Sequence, residues 1–410
     1  MENGQIERLR HRLEENHERW KRLSDKLSKL QEAKDYETDV MRGLKLDQDI
    51  KATEAERTAV EQELTALETS LRAIADPKDS ELSVVDPLSL NKEVAWGIDK
   101  VNARTAWERY NVRGADVTIG LVTTGIDASH PDLEDKISAW AEFDSDGSER
   151  PNSDPVDGHG LGTHSAGILV GGNASGHWIG VAPEAKLAVA KVFDVTQGSD
   201  AQILAGLDWS LKQGVDVILV VAYRPAIGLQ REAPSAYDEA FIKCTSAGIP
   251  VVAPIGNNGA QTVTEPGSSW VCFGVGATDY RDRPAGFSGG GTLTRREDFQ
   301  LGSSFQPPFY SKPDISAPGV AILSSAPGPA RWRVLSGTSM AAAHAAGAIA
   351  LLLSSTSIRQ TLTTAWLTFV AQDLIKNSVE DLGEAGQDHH YGYGRVDVLR
   401  AIRAAHEDGY

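Results

Sequence analysis

Cysteine is nearly missing from this chain: only Cys244 and Cys272 occur in 410 residues. Two thiols without metal-ligand spacing cannot provide a disulfide framework, so both are expected as reduced, buried small hydrophobes. The opening MENGQIERLRHRLEE contains no apolar stretch of the kind that begins a secreted precursor. No apolar run approaches the roughly 18 residues of a membrane span, and VDVILVVA (215–222) has the length of a buried strand. Together these absences point to the cytoplasm. Basic charge is in deficit, with 40 Lys and Arg against 57 Asp and Glu and a formal net charge of -17. Phosphate neutralisation needs clustered cations, so neither nucleic acid nor an anionic membrane is expected as a partner. No motif asks for a metal or an organic cofactor.

Proline is absent from residues 1–75, and glycine occurs there only as Gly4 and Gly43. What fills the segment is Glu, Lys, Arg, Leu and Gln. Ile6, Leu9, Leu13, Asn16, Trp20, Leu23, Leu27 and Leu30 keep a 3-4 spacing. Leu46, Ile50, Thr53, Arg57, Val60, Leu64, Leu67, Leu71 and Ile74 keep it again. The break over residues 35–43 predicts two helices of about 45 Å each, folded back as an antiparallel coiled-coil hairpin. Asn16, Thr53 and Arg57 put polar groups on the seams, which lowers stability but fixes register or oligomeric state. Such an arm is expected to bind a protein partner or another copy of itself, and the plainer role is a spacer. Residues 76–92 carry two Asp-Pro pairs and no periodicity, the pattern of a linker. The domain reading is an arm over 1–75, a linker over 76–95 and a large body over 96–406.

From Val117 the pattern changes. VTIGLV, KLAVAKVF, VDVILVVA and IPVVAPIG read as short apolar strands, and helical stretches such as AQILAGLDWSLKQG lie between them. Strands alternating with helices predict an α/β body with a mostly parallel central sheet, flanked by helices and joined by right-handed crossovers. Ligands of such sheets bind beyond the carboxyl ends of the strands.

The body also resembles a known family. VTIGLVTTGIDASHPDL, DGHGLGTHSAGI, GVAPEAKLAVAKVF, VVAPIGNNGA, GATDYRDRPAGFSGGG, KPDISAPGV, SGTSMAAAHAAG and YGYGRVDVLRAI look like the ordered motifs of the subtilisin-like serine peptidases, the subtilases. The resemblance implies a subtilisin-like fold. It implies that Ser339 is the nucleophile, and that Asn257 and the Ser339 backbone N–H form the oxyanion hole. It also implies an acid at Thr123 and a base at Leu161, and there the chain departs from the pattern. Threonine cannot hold the charge that steadies an imidazolium, and leucine cannot accept a proton. In enzymes of this kind, losing the base alone lowers kcat by about 10⁶. His159, two residues before Leu161, is the candidate relocated base, with Asp154 and Asp157 close by. His164 and Asp127 read as structural.

The substrate groove departs as well. Where the family has Ser-Leu-Gly after the buried strand, this chain has Val221-Ala222-Tyr223, and a tyrosine there would narrow the space that glycine leaves open. Gln197-Gly198-Ser199 only partly matches the glycine-rich opposite edge, and Ala343 replaces a proline in the serine motif. The expectation is therefore a pseudoprotease, a subtilase body used as a binding, scaffold or regulatory module with room for a peptide in the cleft. The alternative is an active endopeptidase with Ser339 as nucleophile and a relocated or partner-supplied acid and base; a third reading is a structural protein with a vestigial domain. ETDVMRGLKLDQDIKATEAERTAVEQELTALE is similar to the short helical "effector-associated" modules of bacterial conflict and defence systems. That likeness implies a sensor NTPase, an active protease or a second copy of the chain as the partner of residues 1–75.

Overall fold

The computed structural model describes residues 93–194, 199–222, 230–231, 236–295, 309–329 and 331–410, together with scattered helical positions between His11 and Val60. The chain divides into two compact units, Met1–Asp86 and Pro87–Tyr410. Residues 76–92, read as a linker, lie outside the described residues.

In the first unit the described positions are helical. Asn16, Leu23, Thr53 and Val60 are buried, and Leu30, Leu46 and Ile50 are half-buried. All seven are seam positions of the 3-4 pattern, and the other described positions are exposed. Thr53 Oγ1 donates to the Asp49 carbonyl at 2.7 Å, which satisfies its hydroxyl within the helix. Arg19 Nη2 meets Glu56 Oε1 at 2.6 Å across 37 positions of sequence.

The second unit is built on one parallel sheet. Its strands are β1 (Thr118–Thr123), β2 (Ile137–Glu142), β3 (Lys186–Lys191), β4 (Val217–Val220), β5 (Val251–Pro254), β6 (Phe273–Thr278) and β7 (Ile315–Pro318). They lie in the order β7-β6-β5-β4-β1-β3-β2, and every neighbouring pair is parallel. Both faces of this sheet are covered, which explains why the strands read as continuous apolar runs instead of alternating. Ile119, Leu121, Leu187, Val189, Val217 and Leu219 point to one face. That face packs on α2 (Leu161–Val170) and α5 (Thr338–Ser355). Val122, Ala188, Ala190, Ile218 and Val220 point the other way, toward α3 (Asp200–Lys212) and α4 (Ala236–Ser246). The remaining helix named below is α1 (Ala103–Tyr110).

The expectation about long apolar runs needs one correction. By length and composition alone α5 could cross a membrane, but 83% of it is buried inside the protein. It is the core helix, and its many alanines let it lie close against the sheet. The two cysteines are free and buried, as expected; burial pushes the Cys244 thiol up to about 11 and the Cys272 thiol to about 12.

The loops at the carboxyl edge of the sheet carry the motif residues. Thr123 ends β1, Val221 follows β4, and Asn257 follows β5. Leu161 and Ser339 open α2 and α5 from the same rim. A hairpin of β8 (Ile322–Ser325) and β9 (Trp332–Leu335) leads into α5.

Candidate functional site

Ser339 is the second residue of α5 and is half-buried. The first N–H groups of a helix have no partner within it, so the Ser339 N–H is free to meet a negatively charged oxygen. The neighbouring Asn257 is oriented by Thr338. Thr338 N donates to Asn257 Oδ1 at 2.9 Å, and Thr338 Oγ1 donates to the same oxygen at 2.9 Å. A backbone N–H can only donate, so the atom facing it must be the amide oxygen, which turns Asn257 Nδ2 away as a donor. Thr338 Oγ1 in turn accepts from Gly256 N at 3.3 Å. Two donors of different origin thus stand at one helix start, the arrangement that stabilises an oxyanion. Thr338 was not singled out in the sequence, although a hydroxyl directly before the nucleophile was a readable signal.

The rim on the other side is organised by Asp157. Its Oδ1 accepts from Thr124 Oγ1 at 2.9 Å, Gly160 N at 2.8 Å and His159 N at 3.2 Å. Its Oδ2 accepts from Thr163 N at 2.8 Å and Thr163 Oγ1 at 2.7 Å. Gly162 N donates to Thr124 Oγ1 at 2.9 Å. One buried carboxylate therefore ties the Thr123-Thr124-Gly125 turn to the first turn of α2. The fit is close: a Cβ on Gly162 would lie 1.9 Å from the Gly125 oxygen and 2.7 Å from Thr123 Cγ2. Gly125 itself has φ +116° and faces the Val156 carbonyl, so neither glycine can be replaced without movement.

At the two substituted positions the structure agrees with the sequence. Thr123 is fully buried, and its Oγ1 has no partner. Leu161 packs against the core. His159, on the loop ahead of α2, is half-buried, and its Nδ1 is enclosed without a partner. Burial lowers its pKa; Asp157 opposes the shift and Arg333 adds to it. The imidazole is therefore neutral at neutral pH, the form a proton acceptor requires. The structure does not bring it to the nucleophile: Ser339 Oγ has no hydrogen bond with His159 or with any other described residue.

The other histidine of the motif is structural. His164 Nε2 lies 3.2 Å from the Ile322 carbonyl and 3.1 Å from the Arg333 carbonyl, joining α2 to the β8–β9 hairpin, and burial depresses its pKa to about 4. Asp127 is structural too. Burial pushes its pKa up, but hydrogen bonds from Ser129 and Gly328 outweigh it and hold the carboxyl below its ordinary value. Val221 and Ala222 are buried, one on each face of the sheet. Tyr223, Gln197 and Gly198 lie outside the described residues. Ser199, read as part of the groove edge, caps α3: its Oγ accepts from Gln202 N at 3.1 Å, and Gln202 Oε1 accepts from Ser199 N at 3.0 Å.

Comparison with known proteins fits this geometry. The model of the Subtilase family matches residues 114–394. Subtilisin Savinase of Lederbergia lenta is 33% identical over 314 residues, which cover 76% of this chain and all of that protein. The alkaline protease of Alkalihalobacillus alcalophilus is 33% identical over 317 residues, 77% of this chain and 71% of its own length. Subtilisin E of Bacillus subtilis is 30% identical over 318 residues, 76% and 72% of the two lengths. These matches overturn the expectation of a pseudoprotease that binds without cleaving, and with it the description of the chain as a pseudoenzyme or a probably inactive peptidase. That expectation weighed Thr123 and Leu161 together with the altered groove at Val221-Ala222-Tyr223. It left out the Thr338–Asn257 network, and it kept His159, with Asp157 close by, for the alternative reading. By family model, by identity over most of its length and by the arrangement of its rim, the chain belongs to the subtilase family of subtilisin-like serine peptidases.

Proposed function

We propose that the chain is a subtilisin-like serine endopeptidase whose nucleophile is Ser339 and whose proton acceptor is His159. The observation that carries the reading is the hydroxyl–amide network at Thr338 and Asn257, which leaves Asn257 Nδ2 as a donor beside Gly337, at the start of the helix that bears Ser339. Ser339 Oγ attacks the scissile carbonyl carbon of a peptide in the cleft while its proton passes to the imidazole. The charge formed on the carbonyl oxygen is received by the two N–H donors. Collapse expels the amine, which takes the proton back, and water repeats the sequence on the acyl-enzyme. His159 must swing toward Ser339 when substrate is bound. The His159 and Gly160 N–H groups are held by Asp157 Oδ1, so the movement is one of the side chain.

A fluorophosphonate probe tests the activated hydroxyl, and a quenched protein substrate tests turnover. Both signals are expected, lost in Ser339→Ala and reduced at least about a hundredfold in His159→Ala. Activity that disappears in Ser339→Ala but is untouched by His159→Ala would move the base to a partner protein. No labelling above the Ser339→Ala background would end the reading.

We also infer that residues 1–75 form an antiparallel hairpin that docks a protein. The Arg19–Glu56 ion pair supports this, as does the burial of Asn16, Leu23, Thr53 and Val60. One heptad onward from Arg19 and one back from Glu56 stand Lys26 and Asp49, again opposite in sign. The docking partner is a sensor NTPase, an active protease or a second copy of this chain. Light scattering of the full chain, and of a chain lacking 1–75, separates self-association from the rest; identical size and identical captured partners in the two would refute the docking role.

A further inference from the structure

At the end of α2 remote from the site rim lies a cavity of about 280 Å³. Its walls come from the segment at Glu93 and Val94, from helix α1 and the turn that follows it, and from the loop after α2. Helix α1 contributes Trp107 and Glu108, the turn before β1 contributes Arg113, and the loop after α2 contributes Trp178. The pieces are joined by backbone: Trp178 N donates to the Glu93 carbonyl at 2.9 Å, Ala95 N donates to the Trp178 carbonyl at 2.8 Å, and Glu184 N donates to the Arg113 carbonyl at 2.8 Å. The cavity is therefore a built feature of the fold.

Its chemistry is specific. The indoles of Trp107 and Trp178 meet edge to face, 6.1 Å apart. The Arg113 guanidinium lies against both, 5.2 Å from one ring centre and 4.8 Å from the other. The ring planes meet at 67°, so the guanidinium is lodged in the corner between them, in contact with both. Among the described residues that guanidinium has no carboxylate or carbonyl partner, and the Glu108 carboxylate has no cation. The other cation of the cavity, Arg104, is already held, by Asp99 at 2.7 Å and Glu93 at 3.4 Å. Trp107 Nε1 is likewise committed, to the Val181 carbonyl at 2.9 Å. What remains unmatched is the Arg113 cation, the exposed Glu108 carboxylate and the half-buried face of Trp178.

We propose that this cavity binds a small apolar α-amino acid. The ligand carboxylate pairs with Arg113, its ammonium with Glu108, and its side chain lies against Trp178. A simple anion would satisfy Arg113 but leave Glu108 repelling it, and a simple cation would do the reverse. A zwitterion satisfies both, and the volume suits one amino acid. Free amino acids and short peptides are what proteolysis releases, so the site would report on product; the binding itself is independent of whether the chain cleaves.

The test is calorimetric titration of the full chain with L-leucine, L-leucinamide and N-acetyl-L-leucine. Saturable binding of leucine in the range of about 0.1–1 mM is expected, with each blocked analogue at least about tenfold weaker. Arg113→Gln should weaken leucine by at least about tenfold yet leave leucinamide unchanged, because leucinamide has no carboxylate to lose. Glu108→Gln should weaken leucine and leave N-acetyl-leucine unchanged. If Arg113→Gln does not fold, the comparison of leucine with leucinamide on the unaltered protein decides the point. Absence of saturable leucine binding, or equal binding of leucine and both analogues, would overturn the proposal.

Discussion

His344 allows a quantitative test of how the core depends on pH. It sits in α5, buried to 1% exposure, with Nδ1 2.8 Å from the Met340 carbonyl. Gly97 packs onto its ring so closely that a Cβ there would lie 2.2 Å from Nε2. Burial depresses its pKa from 6.5 to about 4, against a smaller upward pull from the Met340 and Pro318 carbonyls. The folded protein thus holds a neutral imidazole that the unfolded chain would protonate first. The stabilising effect is complete above the unfolded value and is lost as pH falls from about 6.5 toward 4. Between about pH 7 and pH 4.5 this one ring should remove on the order of 2–3 kcal/mol. The assay is urea unfolding at both pH values, for the unaltered chain and for His344→Gln. Carboxylates contribute equally to both proteins, so the difference between the two pH dependences isolates the ring. His344→Gln should be less stable at pH 7 but should lose about 2–3 kcal/mol less on acidification. Equal losses in the two proteins would refute the reasoning.

Three further outcomes follow from the rim. Asp157→Asn replaces the carboxylate that accepts five hydrogen bonds and should destabilise the second unit by about 2–4 kcal/mol, read as a lower urea midpoint, with the Leu161 end of α2 losing amide protection first. Thr338→Val frees Asn257 to rotate and should lower kcat on a peptide substrate about tenfold with little change in KM, whereas an effect on KM alone would argue against an orienting role. Gly162→Ala places a methyl 1.9 Å from the Gly125 oxygen and should cost at least about 2 kcal/mol in unfolding experiments; a neutral substitution would show that the two turns are not in rigid contact.

The parallel sheet was legible because a strand covered on both faces leaves an unbroken apolar run, and β1, β3, β4 and β5 each do so. The position of the site was legible for a related reason: in such a sheet the chemistry-bearing loops lie beyond the carboxyl ends, where Thr123, Val221 and Asn257 stand. The character of α5 was less legible. Its threonine, serine and histidine interrupt the apolar pattern in sequence, yet in space nearly every one of its faces is enclosed by other elements. The cap at Ser199 was not read, because a serine three residues before a glutamine serves equally in a loop edge and as half of a capping box; the bond from Ser199 N to Gln202 shows the box. The direction of Asn257 could not be read at all. It depends on Thr338, a contact between residues 81 positions apart. The error that mattered concerned function, which was inferred from Thr123, Leu161 and the Val221-Ala222-Tyr223 groove while the hydrogen-bonded frame around them was invisible in the sequence.

That frame has a property of its own. The Thr124 hydroxyl, the Asp157 carboxylate and the facing backbone of Gly125 and Gly162 hold the β1 turn against α2, and the side chains of Thr123 and Leu161 contribute no hydrogen bond to that joint. Scaffold and side-chain chemistry are therefore separable at this corner of the molecule. Exchanging residues 123 and 161 leaves the joint standing, whereas altering Thr124 or Asp157 dismantles it without touching either chemical position. The rim behaves as a socket whose fittings can be changed while the mount stays fixed.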